Sequence, residues 1–466
     1  MPRFGEGCYD SQDLYEVEPH GRYLNSTDTE SRPLPKIIPR SEHPISRANI
    51  SNNALKVLYR LKNAGYSAFI VGGGVRDLLL GRHPKDFDVV TDARPEEVDA
   101  LFRNCRLIGR RFRLAHVRFG RDIVEVATFR AADAAGDDDD RLHDESGRIL
   151  RDNVYGTIDE DVWRRDFTVN ALYYNIADFT LWDYVSGLED IKSRTLRLIG
   201  DPETRYREDP VRMLRAVRLA AKLEFTIAPE AAEPIPRLAP LLADVPPARL
   251  FDEVLKLFHA GHAVRSLELL REYGLFQYLF PRTEEAFRGE DGAAALEFVR
   301  MGLANTDQRI QEDKPVTPTF LYAVLLWPVI RAEAKALEAE RYAPVLAITE
   351  AAHRVVTEQQ RHTTLPRRFA SPMKEMLAMQ PRFENRRGPR AQRLLEHKRF
   401  RAAYDFLVLR SRCGEVDPEI AEFWTRVQEM TPEEQREAFG GSKQRRSARR
   451  RRGRRRAAAA GTFDAA

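Results

Sequence analysis

Gly72-Gly73-Gly74-Val75-Arg76-Asp77-Leu78-Leu79-Leu80-Gly81, followed after a short gap by Lys85-Asp86-Phe87-Asp88, is the stretch on which the fold turns. The β-forming run Ser67 to Val71 ahead of it predicts a strand, and Val75 to Leu80 a short helix closed by Gly81. Gly72 and Gly73 at such a strand-to-helix turn let the backbone approach a triphosphate, and the helix start beyond offers free N–H groups. Arg76 and Asp77 fall on the first turn of that helix, where a guanidinium can reach phosphate or be fixed by a carboxylate. Asp86 and Asp88 stand two apart on a predicted strand from Asp86 to Thr91, so both side chains leave one face. Carboxylates that close repel each other unless a cation lies between them. Oxygen-only ligands facing a triphosphate favour Mg2+. Two such ions are what in-line phosphoryl transfer uses, one activating the attacking hydroxyl and one holding the triphosphate and the leaving pyrophosphate. D-x-D alone is common and mostly marks an ordinary surface strand; the glycines at a short, fixed distance change its meaning.

Working outward, a helix is predicted from Ile50 to Ala64, where Ile50, Leu55, Leu58 and Leu61 supply apolar positions and Ala64-Gly65 ends the run. Downstream, Leu114 to Phe119 and Ile123 to Thr128 read as a hairpin turning at Gly120-Arg121, and Thr168 to Asn175 as a further strand. Asp133 to Arg148 contains Asp137-Asp138-Asp139-Asp140, but ligands on consecutive residues cannot all point at one ion, so a solvated insertion is expected. His143-Asp144 within it has no partner histidines. From about Pro210 strand signals vanish and helical periods take over, as in Met213 to Leu223, Leu250 to Phe258, Val264 to Tyr273 and Phe320 to Leu326.

The chain of 466 residues is 43% hydrophobic and 31% charged, which fits a soluble globular class. No apolar run approaches the roughly 18 to 20 residues of a membrane span, and the N-terminus lacks the pattern of a secretory signal. Cys8, Cys105 and Cys413 offer neither a disulfide framework nor a metal clip, and a reducing, cytoplasmic setting follows. The net charge of +4 hides an asymmetry: ten basic and no acidic residues lie between Lys443 and Arg456. A basic tail on a more acidic body points to an anionic partner, nucleic acid first. Arg449, Arg450, Arg451, Arg452, Arg454, Arg455 and Arg456 are its densest part and would grip phosphate without reading sequence. They lack the interleaved apolar face of a membrane anchor.

The double glycine followed by D-x-D resembles the nucleotidyltransferase superfamily that includes DNA polymerase beta. That superfamily uses a third carboxylate. Arg164-Arg165-Asp166-Phe167-Thr168-Val169-Asn170-Ala171-Leu172 resembles the second signature of the tRNA nucleotidyltransferase and bacterial poly(A) polymerase family. The resemblance implies that Asp166 belongs to the active site and that Arg164, Arg165 and Asn170 face the nucleotide. Glu125, in Ile123-Val124-Glu125-Val126 on a neighbouring predicted strand, is a geometric rival for the third acid; pairing with Arg113 or Arg118 is its structural alternative. Glu208-Asp209-Pro210-Val211-Arg212 opens a long predicted helix and resembles the same family's nucleotide-selecting motif. Asp209 and Arg212, three apart, are expected on one helical face. There a carboxylate would accept from an adenine amino group while a guanidinium donates to the ring nitrogen beside it. Arg215 and Arg218 continue the basic stripe toward the nucleotide phosphates and the RNA.

These motifs are shared by CCA-adding and poly(A)-adding enzymes. The runs Arg103 to Val117 and Leu394 to Leu407, and the basic tail, resemble the poly(A) polymerase branch. The implied fold is an α/β nucleotidyltransferase head, a polymerase-beta-like mixed sheet with helices, followed by all-helical neck and body domains between disordered termini. Residues 1–42 are expected to be disordered, 43–195 to form the head, 196–260 the neck, 261–428 an RNA-binding body and 429–466 a basic tail. The implied activity is template-independent addition of AMP from ATP to RNA 3′ ends with Mg2+, two ions being expected at Asp86 and Asp88. The implied partners are RNA 3′ ends and ATP, with RNA-degradation machinery or an RNA chaperone as candidate protein partners and no stable membrane insertion. A CCA-adding enzyme and a non-catalytic RNA-binding protein are the competing readings.

Overall fold

In the computed structural model, which describes residues 34–109, 113–131, 141–143, 149–152 and 154–440, the strand before Gly72 lies near the middle of a mixed eight-stranded sheet. Its first strands are β1 (Lys36–Ile38), β2 (Ala68–Val71), β3 (Asp88–Thr91), β4 (Cys105–Ile108), β5 (Leu114–Phe119) and β6 (Asp122–Thr128). A separate hairpin follows, β7 (Arg141–His143) with β8 (Ile149–Asp152), and then β9 (Leu172–Asn175) and β10 (Leu181–Asp183) rejoin the main sheet. The order across it is β1-β10-β9-β2-β3-β6-β5-β4. Every pairing is antiparallel except β3 with β6, which the chain reaches through helix α3 (Pro95–Leu101) and the strands β4 and β5.

β2 is buried at all four residues because both faces of the sheet are covered. Phe69 and Val71 pack with Val90, Tyr173 and Val162 on one face, while Ala68 and Ile70 belong to the main core on the other. Helix α1 (Asn52–Asn63) contributes Ala54, Val57, Leu58 and Leu61 to that core, a one-sided i, i+3, i+4, i+7 stripe. The Ser51 hydroxyl starts α1 by accepting from Ala54 N–H at 3.1 Å, and Gly65 at φ +91° lets the chain leave it.

Two elements differ from the sequence reading. Lys36–Ile38, within the stretch expected to be disordered, is an edge strand with Ile37 opposite Trp182. Three residues are too few to display an alternation. Thr168–Asn170 is a 3-10 turn, and the strand begins only at Leu172. The tail arginines 449–456 and most of the acidic insertion, 132–140 and 144–148, lie outside the described residues.

Beyond the sheet come α4 (Ile158–Trp163), α5 (Gly187–Lys192), α6 (Pro202–Glu208) and α7 (Val211–Leu223). A two-residue parallel pairing of β11 (Thr195–Leu196) with β12 (Thr226–Ile227) flanks α7. From Pro229 to Ala438 the described chain is helix and connecting turn. The helix Pro318–Ala339 is buried at every residue from Leu321 to Trp327, the stretch in which its sequence is apolar on all sides. One apolar core runs without a break from Ile38 to Phe439. Among the described residues no helix is long and apolar enough to cross a membrane.

Candidate active site

β2 leads straight into Gly72, and Val71 pairs with Asp88, so the glycine turn and the acid are neighbours across one strand pair. Gly72 sits at φ +76° and ψ −143°, a region open essentially to glycine alone. A β-carbon there would come within 3.5 Å of Asp88 Oδ2, and one at Gly74 within 3.3 Å of the Asp86 carbonyl oxygen. Regular strand begins at Asp88, not Asp86. Exposure nonetheless alternates exposed, buried, exposed over Asp86, Phe87 and Asp88, which keeps both acids on one side.

β3 and β6 run parallel with Val89 opposite Val126, which sets Glu125 beside Asp88. Glu125 is exposed, not the buried-face acid that its apolar neighbours suggest, and His116 Nε2 lies 3.3 Å from Glu125 Oε1. The Asp88 carboxyl is pushed up to about 6, first by loss of surrounding water, then by Glu125 and Asp86, with Arg165 pulling the other way. Desolvation is the larger cause and like charges at one spot the second, and a cation beside the carboxylates would offset both. Among the described residues no three His, Cys, Asp or Glu side chains close into a metal cage. The donor chemistry still fits a hard cation: Mg2+ is held by one or two carboxylates together with substrate phosphates rather than by an all-protein cage.

Replacing Gly72 with Ala should therefore strain the backbone by on the order of 1 to 3 kcal/mol and push a methyl toward Asp88. We expect a lower melting temperature and at least a tenfold loss of nucleotide transfer, readable from a thermal melt and an AMP-incorporation assay on the same sample. A fall in stability with full activity would contradict this placement.

Asp166 is engaged on both oxygens. Oδ1 accepts from the Phe167 N–H at 2.8 Å and from the Asn170 amide at 3.2 Å, while Oδ2 accepts from Arg215 Nε at 2.8 Å and from its Nη2. Burial works against its charge, but the Arg215 guanidinium, the Asn170 amide and the Phe167 N–H outweigh it and hold the carboxyl at about 2. A depressed carboxyl contributes stability above its unfolded value near 4 and loses it as pH falls toward 2. The Asp166→Asn variant should thus be less stable than wild type at pH 7, and the pH-dependent part of the gap, about 2 kcal/mol, should shrink between pH 4 and 2 in urea titrations. A gap constant over that window would rule the ion pair out as its source.

Asn170 also accepts from Arg76 Nη1 at 2.6 Å through its Oδ1, and Arg76 Nε and Nη2 donate to Asp77 Oδ1 at 2.9 and 2.7 Å. Lys222 Nζ stands 3.7 Å from Asp77 Oδ2. Arg164 donates to the Ala131 carbonyl at 2.8 Å. Arg165 is bound to Asp161 Oδ2 at 2.8 Å and stacks on Tyr173 with 5.0 Å to the ring centroid. Its guanidinium is thus spent on structure, while its charge is still felt at Asp88.

The Glu208-to-Arg212 motif straddles a break, so Asp209 and Arg212 do not share a helical face. Asp209 ends α6 in an extended conformation, and Pro210 precedes α7. The reason is local: proline disfavours the helical conformation for the residue before it. Asp209 Oδ2 accepts from Arg249 Nη2 at 2.7 Å, and Oδ1 accepts from the Val211 N–H at 3.3 Å. Burial opposes its ionisation, and Arg249 more than compensates, so its carboxyl lies below the usual range. Arg212 Nη1 donates to Glu208 Oε2 and to the Arg205 carbonyl, both at 2.7 Å. Arg205 in turn donates to Glu208 at 2.6 Å and to the carbonyls of Arg164 and Arg165 at 3.0 and 2.8 Å. Arg218, half-buried on α7, has a buried Nε with no partner among the described residues. Arg249 and Lys222 are the site residues that motif reading missed, and nothing local to either marks it.

A model of the poly A polymerase head domain matches residues 68–197, one described as "Probable RNA and SrmB- binding site of polymerase A" matches 224–287, and one for a polymerase A arginine-rich C-terminus matches 340–457. Among solved structures, a tRNA-processing enzyme in an apo form aligns at TM-score 0.59 and 23% identity, over 83% of this chain and 94% of that one. A tRNA nucleotidyltransferase complexed with a primer tRNA and an incoming ATP analog aligns at 0.56 and 23%, over 80% and 98%. The mixed sheet, the glycine turn and the acid pair define a nucleotidyltransferase with a helical C-terminal region. Poly(A) polymerase I of Salmonella typhi is 52% identical over 87% of this chain and 88% of its own, and that of Haemophilus influenzae 46% over 86% and 89%. The CCA-adding enzyme of Geobacillus stearothermophilus is 40% identical over 48% of this chain and 54% of its own. The chain belongs to the bacterial poly(A) polymerase family. It is a polynucleotide adenylyltransferase, and poly(A) addition is its activity.

Proposed function

We propose that this enzyme transfers AMP from ATP to an RNA 3′ end with two Mg2+ ions held at Asp86 and Asp88, Glu125 standing beside them as the third acid. The observation that carries this is the placement of Asp88 opposite Val71 at the Gly72 turn, with Glu125 beside it across the parallel β3–β6 pairing. When bound, the ions supply charge neutralisation of the triphosphate and acidify the attacking 3′-hydroxyl. That hydroxyl forms the new ester bond to the α-phosphorus, the bond to the bridging oxygen breaks, and pyrophosphate leaves. Gly72 and Gly73 admit the triphosphate, and the free N–H groups that open α2 (Gly73–Leu79) face it. Arg76, buried and held at Nε, Nη1 and Nη2 by Asp77 and Asn170, braces the helix behind the glycine turn and adds its positive charge there. Asp166, spent on Arg215 and Asn170, organises the floor of the site instead of holding metal.

Asp209 and Arg212 read the base. A carboxylate acceptor next to a guanidinium donor matches adenine, with its amino group and N1, and equally cytosine, with its amino group and N3. Guanine and uracil present the reverse order and would leave buried groups unpaired, which is heavily penalised. Hydrogen bonding therefore rejects G and U, and the shape of the pocket must reject C. The pins Arg249–Asp209, Arg212–Glu208 and Arg205 to the Arg164 and Arg165 carbonyls fix that shape. On this reading residues 43–195 act as head, 196–260 as neck and 261–428 as an RNA-guiding body.

The test supplies purified protein and Mg2+ with each nucleoside triphosphate separately, on an unstructured RNA and on a tRNA lacking its CCA end. Long tails from ATP alone on the unstructured RNA are expected. Two C then one A, confined to tRNA, would overturn the reading.

A further inference from the structure

We propose that His116 is a positioning residue of the transfer reaction: its Nε2 N–H holds the Glu125 carboxylate in place beside Asp88. The proposal rests on the reading above in which Glu125 is the third acid. His116 lies in β5, within the run Arg103 to Val117 that the metal and nucleotide chemistry leaves without a role. β5 is an inner strand, bounded by β4 and β6. The register sets His116 opposite Arg106 on one side and opposite Glu125 on the other. Cross-strand partners share a face of the sheet. Asp88, Glu125 and His116 thus stand side by side on three neighbouring strands, β3, β6 and β5.

The chemistry of that row is one-sided. An arginine side chain has only donors, so of the two cross-strand neighbours only Glu125 can accept from the imidazole. His116 Nε2 lies 3.3 Å from Glu125 Oε1. That nitrogen is buried and has no hydrogen-bond partner among the described residues, on a side chain only 15% exposed. Buried polar atoms are as a rule hydrogen-bonded. Glu125 is half exposed, with room to close a gap barely longer than a good N–H···O bond. Of the two arginines expected to hold it, Arg113 is paired with Glu96. Among the described residues Arg118 makes no ion pair with it.

A half-exposed glutamate on a strand is free to swing about its side-chain torsions, and the reaction needs its carboxylate in one place beside Asp88. Acids that work on a metal or a reacting group are held by hydrogen bonds from the residues behind them, and losing such a bond typically lowers activity about 10- to 100-fold. His116 is the donor that the sheet supplies for this. Held through Oε1, the carboxylate keeps Oε2 free for the reacting groups.

The test uses the full chain with Mg2+, ATP and an unstructured RNA in single-turnover assays. His116→Leu fills the space without a donor, and His116→Gln returns an amide N–H near the position of Nε2. Each is made in the wild-type and in the Glu125→Gln background. His116→Leu should transfer AMP about 10- to 100-fold more slowly, with the half-saturating ATP concentration within about twofold of wild type. His116→Gln should recover most of the rate. In the Glu125→Gln background the His116→Leu change should cost at most about twofold, because no carboxylate remains to be held. A merely structural histidine would lower ATP affinity and melting temperature together, and its loss would add to that of Glu125. Should His116→Leu melt well below wild type, His116→Asn decides: it stays polar but reaches only as far as Nδ1, so it should be slow as well. A wild-type rate in either variant overturns the proposal. Equal losses in His116→Leu and His116→Gln overturn it too, as does a His116→Leu loss that adds in full to that of Glu125→Gln. Full activity in Glu125→Gln defeats the third-acid reading and the proposal with it, whereas a slow Glu125→Gln beside a fully active His116→Leu defeats the proposal alone.

Discussion

The Asp88→Asn enzyme should fold, and melt slightly above wild type without added metal, while losing AMP incorporation by at least about a thousandfold, the equivalent of about 4 kcal/mol of barrier. The substitution keeps the shape of the side chain and removes one of the charges that crowd Glu125 and Asp86. Its effect on stability follows from the direction of the shift. A carboxyl raised above its unfolded value contributes stability below pH 4 and loses it as pH rises through about 6. The variant escapes that loss, so its advantage in chelator at pH 8 should close by pH 4. Thermal melts across that range, beside a single-turnover assay with saturating Mg2+, separate the two effects. Activity within tenfold of wild type would remove Asp88 from the reaction.

Arg249→Ala tests the base pocket. Its guanidinium, on the helix Pro247–Phe258, holds Asp209 at 2.7 Å, and without it that carboxylate is free to rotate and the pocket to change width. Adenine and cytosine offer the same pair of hydrogen-bonding groups, so the discrimination lost should be between ATP and CTP. Selection by fit is worth about 1 to 3 kcal/mol, and the ratio of kcat/KM for ATP over CTP should fall about ten- to a hundredfold. Discrimination against GTP and UTP, which rests on donor and acceptor order, should persist. If all four nucleotides lose equally, Arg249 matters for folding and not for selection.

What the sequence makes legible is what is local. Glycines at a strand end, acids two apart and the hairpin around Gly120 lie within a few residues of one another, and the structure has them as adjacent elements. The break at Asp209 was also written locally, in its proline neighbour, but the helical spacing of Asp209 and Arg212 masked it. The partners that decide what each acid does are another matter. Arg215 reaches Asp166 across 49 positions, Arg249 reaches Asp209 across 40, and Asn170 reaches Arg76 across 94. No periodicity encodes such pairings; they exist only once the elements that carry the two partners have packed together. The same holds for Glu125, whose place beside Asp88 depends on the one parallel strand pairing of the main sheet.

Helix α7 carries three of these ties on one rod. Arg212 near its start is fixed to Glu208, Arg215 locks Asp166 a turn later, and Lys222 near its end stands by Asp77 behind the glycine turn. The helix is thus a ruler cut to length and clocked in phase: base, acid and phosphate ends are indexed to a single screw of 1.5 Å and 100° per residue. A residue exchanged along it changes one tooth. A residue inserted between Arg215 and Lys222 would swing the far end by about 100° and leave Asp77 facing a different side chain. This segment should therefore accept altered letters far more readily than an altered count, and sequence drift in it should proceed by exchange at fixed length.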